Sequence, residues 1–324
     1  MLIQKLTILN IIKDLKKKKI NSYYFLDELF IDYLQKYNPL SLFEDKSFVI
    51  KHNENFLYCP ITIEKKRGKK YLNFFGEPCF CIYNKYERSI FLYFAKELKG
   101  ICEKEKITNF NLVFENSELN EKNLENYFFK KKLCKKISNI KYIDLNLNVD
   151  DIKKSFKKGL KHLINKDYPS LSYLIIDKEN YNNHIINMKN MHQEVSKKIT
   201  RSDETWLINE KMIKLNKGFL VQVSDKKNII SYSLFFSNGW EAIYFSSCTL
   251  KEYFKIYKNI THKSIFEAIK YLKKTKCKNL TLGETKIIHS NQIISDKEKN
   301  IFTFKSSFGG EIYTRYYIDK YNIG

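Results

Sequence analysis

The sequence predicts an α/β fold with mixed sheets, built as two domains in tandem. The chain has 324 residues, which exceeds what one hydrophobic core usually supports. Its composition, 43% hydrophobic and 15% aromatic, is sufficient for two packed cores. The same order of elements also occurs twice: helices, a run of strands, and then helices alternating with strands. We therefore expect one domain over residues 1–140 and a second over residues 141–324.

The first domain begins with helical material that extends to about Tyr37. Apolar residues recur at helical spacing at the amino end, which predicts an amphipathic helix rather than a signal peptide. These residues are Leu2, Leu6, Leu9 and Ile12. Four strands, a helix, a strand, a helix and a strand follow, at 47–50, 56–63, 71–75, 79–83, 87–104, 110–114, 118–131 and 141–147. The segment KKRGKK has the charge and the glycine of an exposed hairpin tip.

The second domain repeats this order. It begins with a lysine-rich helix and continues with a strand, two helices, a three-stranded meander, a helix and two further strands. The predicted bounds are 150–166, 172–177, 179–197, 203–216, 218–224, 229–237, 240–247, 262–274, 279–284 and 311–318. The pair Asn238-Gly239 favours a type I′ turn between the last two meander strands.

The net charge of the chain is +22, from 58 lysine and arginine residues against 36 acidic ones. Such a field attracts nucleic acid, anionic surfaces or phosphorylated substrates. The lysine excess accompanies many Asn, Ile, Tyr and Phe residues, a bias typical of low-GC coding, so charge alone identifies no partner. The scarce arginines are more informative than the lysines. They are Arg67, Arg88, Arg201 and Arg315.

Several classes of protein are disfavoured by the sequence. No apolar run reaches the ~18–20 residues of a membrane span, and the amino end has no cleavage-site pattern, so we expect a cytoplasmic protein. The seven cysteines form no CxxC pair and have no histidines at zinc spacing, which indicates reduced core cysteines. Nucleophilic triads, HExxH, Walker-type loops and dinucleotide-binding glycine patterns are absent from the sequence, and no metal site is predicted.

The stretch FTFKSSFGGE, residues 302–311, places a lysine among aromatic residues just before paired glycines. One interpretation is a strand that carries an exposed lysine and ends in a turn. The other is a site in which Lys305 lies partly desolvated between Phe304 and Phe308 and stabilises an oxyanion. Gly309 and Gly310 then let the backbone turn into the last strand.

Several strings in the second half resemble the Fem-type transferases, whose tandem domains have the GNAT acetyltransferase fold. IFTFKSSFGGE (301–311) is similar to the family's Phe-Lys-x-x-Phe-Gly signature. ITHKSIFEAIKYLKKTKCKNLTLGE (260–284) is similar to its late helix and following strand, and residues 191–213 resemble the segment before the meander. The resemblance covers roughly residues 140–318, and over residues 1–139 it rests on element order. It implies two tandem GNAT-like domains and makes Lys305 the signature lysine beside the reacting carbonyl.

The resemblance also implies an activity, the transfer of an activated acyl group onto an amine. It implies an aminoacyl-tRNA donor, no permanently bound cofactor, and an acceptor that is a nucleotide- or lipid-linked glycan precursor of cell-wall or surface-polysaccharide synthesis. The expected partners are this precursor, tRNA and the surface of an anionic membrane, without DNA. Two alternatives stay open: an acyl-CoA-dependent N-acetyltransferase acting on an amino sugar, and a non-catalytic basic RNA-binding protein.

Further candidate residues lie near these motifs. His262 begins the predicted helix 262–274 after a capping Thr261, and is interpreted either as a proton shuttle beside a phosphate or as an exposed ring. The preceding segment FKIYKNITHK has no glycine, which disfavours ordinary acetyl-CoA binding. Glu284 closes a strand and is a candidate to orient or deprotonate the acceptor amine.

Two of the arginines are candidates for substrate binding. Arg201 occurs close to Trp206, so the pair is interpreted either as a site that grips an anion and stacks on a base or sugar, or as the start of a helix capped by Ser202. Arg315 alternates with aromatic residues on the last predicted strand, where an ion pair or a phosphate contact is expected.

Overall fold

The computed structural model describes residues 1–20, 26–85, 87–107, 109–110, 112–115, 134–286 and 295–318. Helices and mixed sheets alternate along the chain, which confirms the predicted α/β fold class. None of the helices in these ranges is long and apolar enough to cross a membrane. The helix predicted at 118–131 lies outside the described residues.

The chain divides into two compact units. Unit 1 consists of Met1–Ser22, Asn38–Asn139 and Tyr313–Gly324, and unit 2 consists of Tyr23–Tyr37 and Ile140–Ile312. The main boundary, between residues 139 and 140, is adjacent to the expected one at 140/141. Each unit is nevertheless formed from separate stretches of the chain, because residues 23–37 belong to unit 2 and residues 313–324 to unit 1.

Unit 1 is built from short strands and two helices. Its elements are β1 (Leu2–Lys5), α1 (Ile8–Lys17), β2 (Leu42–Asp45), β3 (Phe48–His52), β4 (Asn55–Cys59), β5 (Thr62–Lys66), β6 (Lys69–Asn73), β7 (Cys79–Phe80), β8 (Ile82–Tyr83), α3 (Arg88–Lys104), β9 (Asn109–Phe110) and β10 (Leu112–Glu115). Two sheets have the orders β1-β3-β4-β8 and β2-β5-β6-β9. The predicted KKRGKK hairpin tip joins β5 to β6, and Arg67 and Gly68 both have positive φ there, as a type I′ turn requires.

Unit 2 contains a larger sheet flanked by helices. Its elements are α2 (Glu28–Tyr37), α4 (Val149–Ser155), α5 (Lys158–Asn165), β12 (Leu171–Ile176), α6 (His184–Ser196), α7 (Asp203–Lys214), β13 (Gly218–Asp225), β14 (Asn228–Ser237), β15 (Glu241–Thr249), α8 (Lys251–Ile256), α9 (Ile260–Lys274), β16 (Asn279–Lys286) and α10 (Asp296–Ser306). Two strands cross the boundaries along the chain, β11 (Cys134–Asp144) and β17 (Glu311–Ile318). Strands β12 to β15 pair antiparallel in chain order, and β16 pairs parallel to β15.

The core of unit 2 lies between α9 and the central strands. Apolar residues of α9 recur at helical spacing and are buried against β13 and β14. They are Ile265, Ala268, Ile269 and Leu272. Phe219 of β13 stacks on Phe235 of β14 with ring centroids 4.9 Å apart. This packing fixes the strand edge and the helix start that form the candidate site.

The amino end differs from the helix predicted for it. Residues 2–5 form β1, which pairs with β3, and the helix begins only at Ile8 after the capping residue Thr7. Leu9 is 52% exposed, whereas the buried face consists of Ile8, Ile11, Ile12 and Leu15. The amphipathic helix is therefore confirmed, but its predicted start was wrong, because the apolar residues of the short β1 match a helical spacing by chance.

The lysine-rich helix predicted at 150–166 is two helices, α4 and α5. The break falls at Phe156, which has extended backbone and a side chain that is only 2% exposed. Its ring contacts those of Phe266 and Phe308, with centroids 6.1 and 5.5 Å apart. Burial of this ring in the core therefore accompanies the interruption of the helix.

The stretch FTFKSSFGGE begins as a helix, not as a strand. Ser295 and Glu298 form a reciprocal capping box at the start of α10, which continues through Lys305. Gly309 and Gly310 follow with φ of +60° and +71°. A Cβ at Gly309 would overlap the Ser155 carbonyl oxygen, and one at Gly310 would overlap that of Tyr142. Both glycines are thus required by close backbone approach as well as by their conformation.

We predict that Gly310→Ala lowers the free energy of unfolding by about 2–4 kcal/mol, because a left-handed backbone and a backbone clash are combined. Urea titration measures this change. Gly239→Ala is the matched control, since Gly239 has φ of +88° but no atom within 4 Å of its Cβ position. It isolates the conformational cost of roughly 1 kcal/mol. Equal losses for the two variants would contradict the close approach.

Candidate functional site

The candidate site is built around two parallel strands that separate. β15 and β16 pair only over Glu241–Ile243 and Asn279–Thr281, and beyond these residues no pairing between them is observed in the described residues. Residues 244–247 of β15 are consequently half-buried, although β15 lies between β14 and β16 in the sheet. This separation opens a wedge in the middle of the sheet, and two clusters of polar and aromatic residues attach to its two strands.

The first cluster contains Lys305 and is attached to β16. The Lys305 Nζ donates a hydrogen bond to the main-chain carbonyl of Glu284 at 2.9 Å. Gly283, with φ of +78°, leaves room for the ammonium, because a Cβ there would be 3.2 Å from Nζ. Burial lowers the pKa of Lys305 to about 8, and the charge of the Glu284 carboxylate offsets part of this effect. At neutral pH the site therefore holds a partly desolvated ammonium with further N–H donors.

The two rings that flank Lys305 along the chain pack with a third, that of His262 on α9. Phe304 and Phe308 have centroids 5.6 Å apart, and the His262 ring lies 4.8 Å from the first and 5.9 Å from the second. Phe308 is fully buried. The pairing of Phe304 and Phe308 with the His262 ring on α9 was not anticipated from the sequence.

His262 is half-buried, so the expectation of an exposed ring was wrong. Burial lowers the pKa of His262 to about 4, with a smaller opposing contribution from a hydrogen bond to the Lys258 backbone. The imidazole is therefore neutral at physiological pH and is poorly suited to donate a proton there.

A cavity of about 230 Å³ opens at the start of α9. It is lined by Phe254, Lys258, Ile260, Thr261, His262 and Phe304. The helix begins at Ile260, two residues before the predicted start, and its capping position is Asn259 rather than Thr261. The Asn259 amide donates to the carbonyls of Leu163 and Lys166 and makes no side-chain cap to α9. The first-turn N–H groups of α9 thus lie at residues that line the cavity, an arrangement suited to an anion.

The lysines around the start of α9 have different environments. Lys263 forms an ion pair with Asp167 at 2.7 Å, whereas Lys258 lines the cavity. The segment FKIYKNITHK contains the end of α8 and the beginning of α9. Its lack of glycine is consistent with this helical structure.

The second cluster is attached to β15 and contains Arg201. The Arg201 Nη2 donates to Ser246 Oγ at 3.1 Å, and the guanidinium lies over the rings of Trp206 and Phe245, 5.3 and 5.2 Å from their centroids. The Arg201 Nη1 is buried and has no hydrogen-bond partner within the described ranges. A buried cationic donor without an acceptor is costly, so this nitrogen is available to an anion.

A β-bulge presents Ser246 to Arg201. Phe235 pairs with Tyr244 while Leu234 pairs with Ser246, which leaves Phe245 as the extra residue of β15. Because Phe245 is the bulged residue, Ser246 lies two pairing positions beyond Ile243, and Glu284 lies three residues beyond Thr281. Both clusters therefore attach beyond the last paired residues of β15 and β16. One signal for this site was present in the sequence and was not used, the Ser246-Ser247 pair in the mostly apolar interior of β15.

The structure thus brings the predicted site residues into two groups. Lys305, Glu284, Phe304, Phe308 and His262 form one, and Arg201 with Trp206 forms the other. Trp206 is buried in α7 and also contacts the ring of His192, 5.8 Å between centroids. Arg315 lies on β17 opposite Glu115, and its side chain is outside the described set.

Comparisons with known proteins extend these observations. No protein-family model matches the sequence, and no curated protein matches it. Among solved structures, the chain matches FemX with a TM-score of 0.63 and 12% identity, over 98% of this chain and 97% of that one. The chain has the Fem-like tandem GNAT fold. This confirms the two-domain fold predicted from the resemblance, and at this identity it establishes the fold alone.

Two further structures support the same assignment of the fold. A tandem GNAT protein from the clavulanic acid biosynthesis pathway matches with a TM-score of 0.54 and 7% identity, over 100% of this chain and 98% of its own. L-PGS from Bacillus licheniformis matches with a TM-score of 0.55 and 10% identity, over 96% and 90%. In this Fem-like GNAT fold, the wedge between β15 and β16 lies in the second unit.

We predict that the stability of the protein rises between about pH 8 and pH 10.5 because of Lys305. Its folded pKa of about 8 lies below its unfolded value near 10.5, so the unfolded chain binds more protons in this window. Lys305→Met removes this contribution. Chemical denaturation at several pH values should show an unfolding free energy that rises more steeply for the unmodified chain, by roughly 1–3 kcal/mol over the window. Parallel curves for the two proteins would show that Lys305 is not desolvated.

Proposed function

We propose that the protein is an acyl or aminoacyl transferase that forms an amide on an amino group of a nucleotide- or lipid-linked glycan precursor. The observation that carries this proposal is the partly desolvated ammonium of Lys305, hydrogen-bonded to the Glu284 carbonyl where β15 and β16 separate. The Fem-like fold supports it, since FemX and GNAT-fold acetyltransferases are among the structures that the chain resembles. The acceptor belongs to cell-wall or surface-polysaccharide synthesis.

The reaction needs positioning and charge stabilisation more than a nucleophile from the protein. The acceptor amine attacks the carbonyl carbon of an ester or thioester, a C–N bond forms, and negative charge develops on the carbonyl oxygen. Lys305 donates to this oxyanion, with one of its three N–H groups already held by the Glu284 carbonyl. The intermediate then expels the leaving oxygen or sulfur, and the proton lost by the amine balances the proton gained by the leaving group.

Glu284 is the candidate to accept the proton of the amine. Its carboxylate is near enough to Lys305 to raise the lysine pKa against the effect of burial. A carboxylate in this position orients an ammonium acceptor and takes its proton when attack begins. His262, neutral and half-buried, serves instead as part of the aromatic wall with Phe304.

Arg201 is the candidate to bind an anionic group of the acceptor. Its free Nη1 and its contact with Ser246 suit a phosphate or carboxylate oxygen, which is the chemistry that a nucleotide- or lipid-linked precursor supplies. The Trp206 and Phe245 rings hold the guanidinium plane in place.

The donor is bound, in this proposal, at the start of α9. The cavity, the first-turn N–H groups and Lys258 suit a phosphate-bearing donor. The segment that leads into α9 has no glycine and contains the end of α8, which disfavours ordinary acetyl-CoA binding. This favours aminoacyl-tRNA and leaves acyl-CoA as the second candidate donor. A non-catalytic RNA-binding role explains the charge of +22, but gives no reason to bury Lys305 beside Glu284.

We predict that Lys305→Ala lowers the turnover number by about 10²–10³, because one oxyanion donor is lost. The assay supplies labelled aminoacyl-tRNA or acetyl-CoA with amino-sugar nucleotides and follows label into an amide. Lys299→Ala is the matched control on the same helix, since Lys299 is exposed and its Nζ pairs with Asp296 at 3.2 Å. Unchanged turnover in Lys305→Ala, or RNA binding without product from any acceptor, contradicts the proposed function.

We predict that Arg201→Met raises the KM for the acceptor by about tenfold or more with a smaller change in turnover, because an anion contact is lost. Arg201→Lys is the informative companion, since it keeps the charge but loses the planar contact with the two rings. It should recover only part of the affinity. An acceptor that lacks the anionic group should bind the unmodified protein and Arg201→Met equally well. If Arg201→Met alters turnover alone, the assignment to acceptor binding fails.

A further inference from the structure

We propose that α8 and the adjoining lysines form a surface that docks on an anionic lipid bilayer. This inference goes beyond the proposed function, because it concerns where the protein works and not which bond it forms. The docking surface consists of Lys251, Phe254, Lys255, Ile256, Lys258 and Lys166.

The first observation is that α8 is exposed over most of its surface. None of its six residues is fully buried, and Phe254 and Ile256 are 51% and 57% exposed. Phe254 is more exposed than any other phenylalanine in the described ranges. Single exposed apolar residues are common, but two within one turn of a helix that packs on the core through the half-buried Tyr253 indicate an interaction surface.

The second observation is that a lysine continues the surface and that tyrosines hold the surface to the core. The Lys166 Nζ lies 5.0 Å from the centroid of the half-buried Tyr168 ring, and this ring is 4.9 Å from that of the buried Tyr257. Tyr253 of α8, also half-buried, stacks on Tyr257 in turn, at 6.3 Å. Exposed lysines beside exposed apolar side chains favour the interface of an anionic bilayer.

The third observation concerns the position of this surface. Phe254 belongs to α8 and also lines the cavity at the start of α9, together with Phe304 and His262. On α10, Ile301 lies one turn before Phe304 and is 38% exposed. Apolar side chains of two helices are therefore exposed near the cavity, and insertion of α8 would bring the site to the lipid surface.

The aliphatic residues favour lipid over RNA as the occupant. RNA-binding surfaces use aromatic rings and cations, and Phe254 with the lysines fits either partner. Ile256 and Ile301 offer no ring for stacking on a base, whereas both gain from transfer into the acyl region of a bilayer. Charge complementarity with anionic headgroups is supplied by the lysines, of which Lys251, Lys255 and Lys258 are exposed.

The test measures partition of the full chain onto vesicles of phosphatidylcholine with and without about one third phosphatidylglycerol. We expect binding to the anionic vesicles and weak binding to the neutral ones. The double variant Phe254→Ser with Ile256→Ser should lower the partition coefficient by about tenfold or more. The matched control is Leu174→Ser with Ile186→Ser, two comparably exposed residues elsewhere in unit 2, and it should bind as the unmodified chain does.

Charge and depth are tested separately. Lys251→Glu with Lys255→Glu should abolish the preference for anionic vesicles, whereas Lys226→Glu with Lys227→Glu, in the turn between β13 and β14, should not. A tryptophan at position 254 should be quenched by brominated lipids, and one at position 186 should not. Binding that is unaffected by the α8 variants, or loss of oligonucleotide binding in them without any vesicle binding, overturns the proposal.

Discussion

The site in unit 2 depends on the close approach of backbones at Gly309 and Gly310. At these positions the chain after α10 lies against the carbonyls of Ser155 and Tyr142, where no side chain fits. Two further bonds hold the same segment: the Lys157 N–H donates to the Ser307 carbonyl at 2.9 Å, and the Lys141 Nζ to the Gly310 carbonyl at 3.0 Å. These contacts fix the end of α10. Lys305, on its last turn, is thereby held within hydrogen-bond distance of β16.

The wedge between β15 and β16 allows Lys305 of α10 to reach a main-chain carbonyl of β16. A lysine that reached a fully paired strand would find the carbonyl of Glu284 occupied by a neighbouring strand. Where β15 and β16 separate, their main-chain groups are no longer paired with each other and lie among half-buried side chains. A carbonyl there accepts a hydrogen bond from the buried ammonium, which lowers the free-energy cost of burying the charge. On the opposite strand, Arg201 follows the same rule with Ser246 and two aromatic rings. Lys305 and Arg201 thus both contact strand segments at which β15 and β16 have separated.

The sequence predicted the strands well and the helices unevenly. In the meander over β13 to β15, polar and apolar residues alternate or apolar residues follow one another, and the pair Asn238-Gly239 marks a turn. This pattern is typical of strands alone. In FTFKSS the aromatic alternation suggested a strand, whereas the capping box of Ser295 and Glu298 was the better signal. The break at Phe156 has no proline at the position and depends on burial in the tertiary core, which sequence does not display. The small number of arginines singled out Arg201 in the sequence. Its partners on β15 depend on a β-bulge, which the alternation of polar and apolar residues does not reveal.

That bulge sets which face of β15 each polar residue occupies. Tyr244 and Ser247 share one face of β15, where the Tyr244 hydroxyl donates to Ser247 at 2.6 Å, while Phe245 and Ser246 share the other with Arg201. Loss of the bulge at unchanged strand length would move Ser246 from its place opposite Leu234 to one opposite Ser233, and would turn its side chain to the other face. Arg201 would then lose Ser246 as a partner although no residue had been substituted. The chemistry on this side of the sheet therefore depends on the register of one strand as well as on the residues that the strand carries.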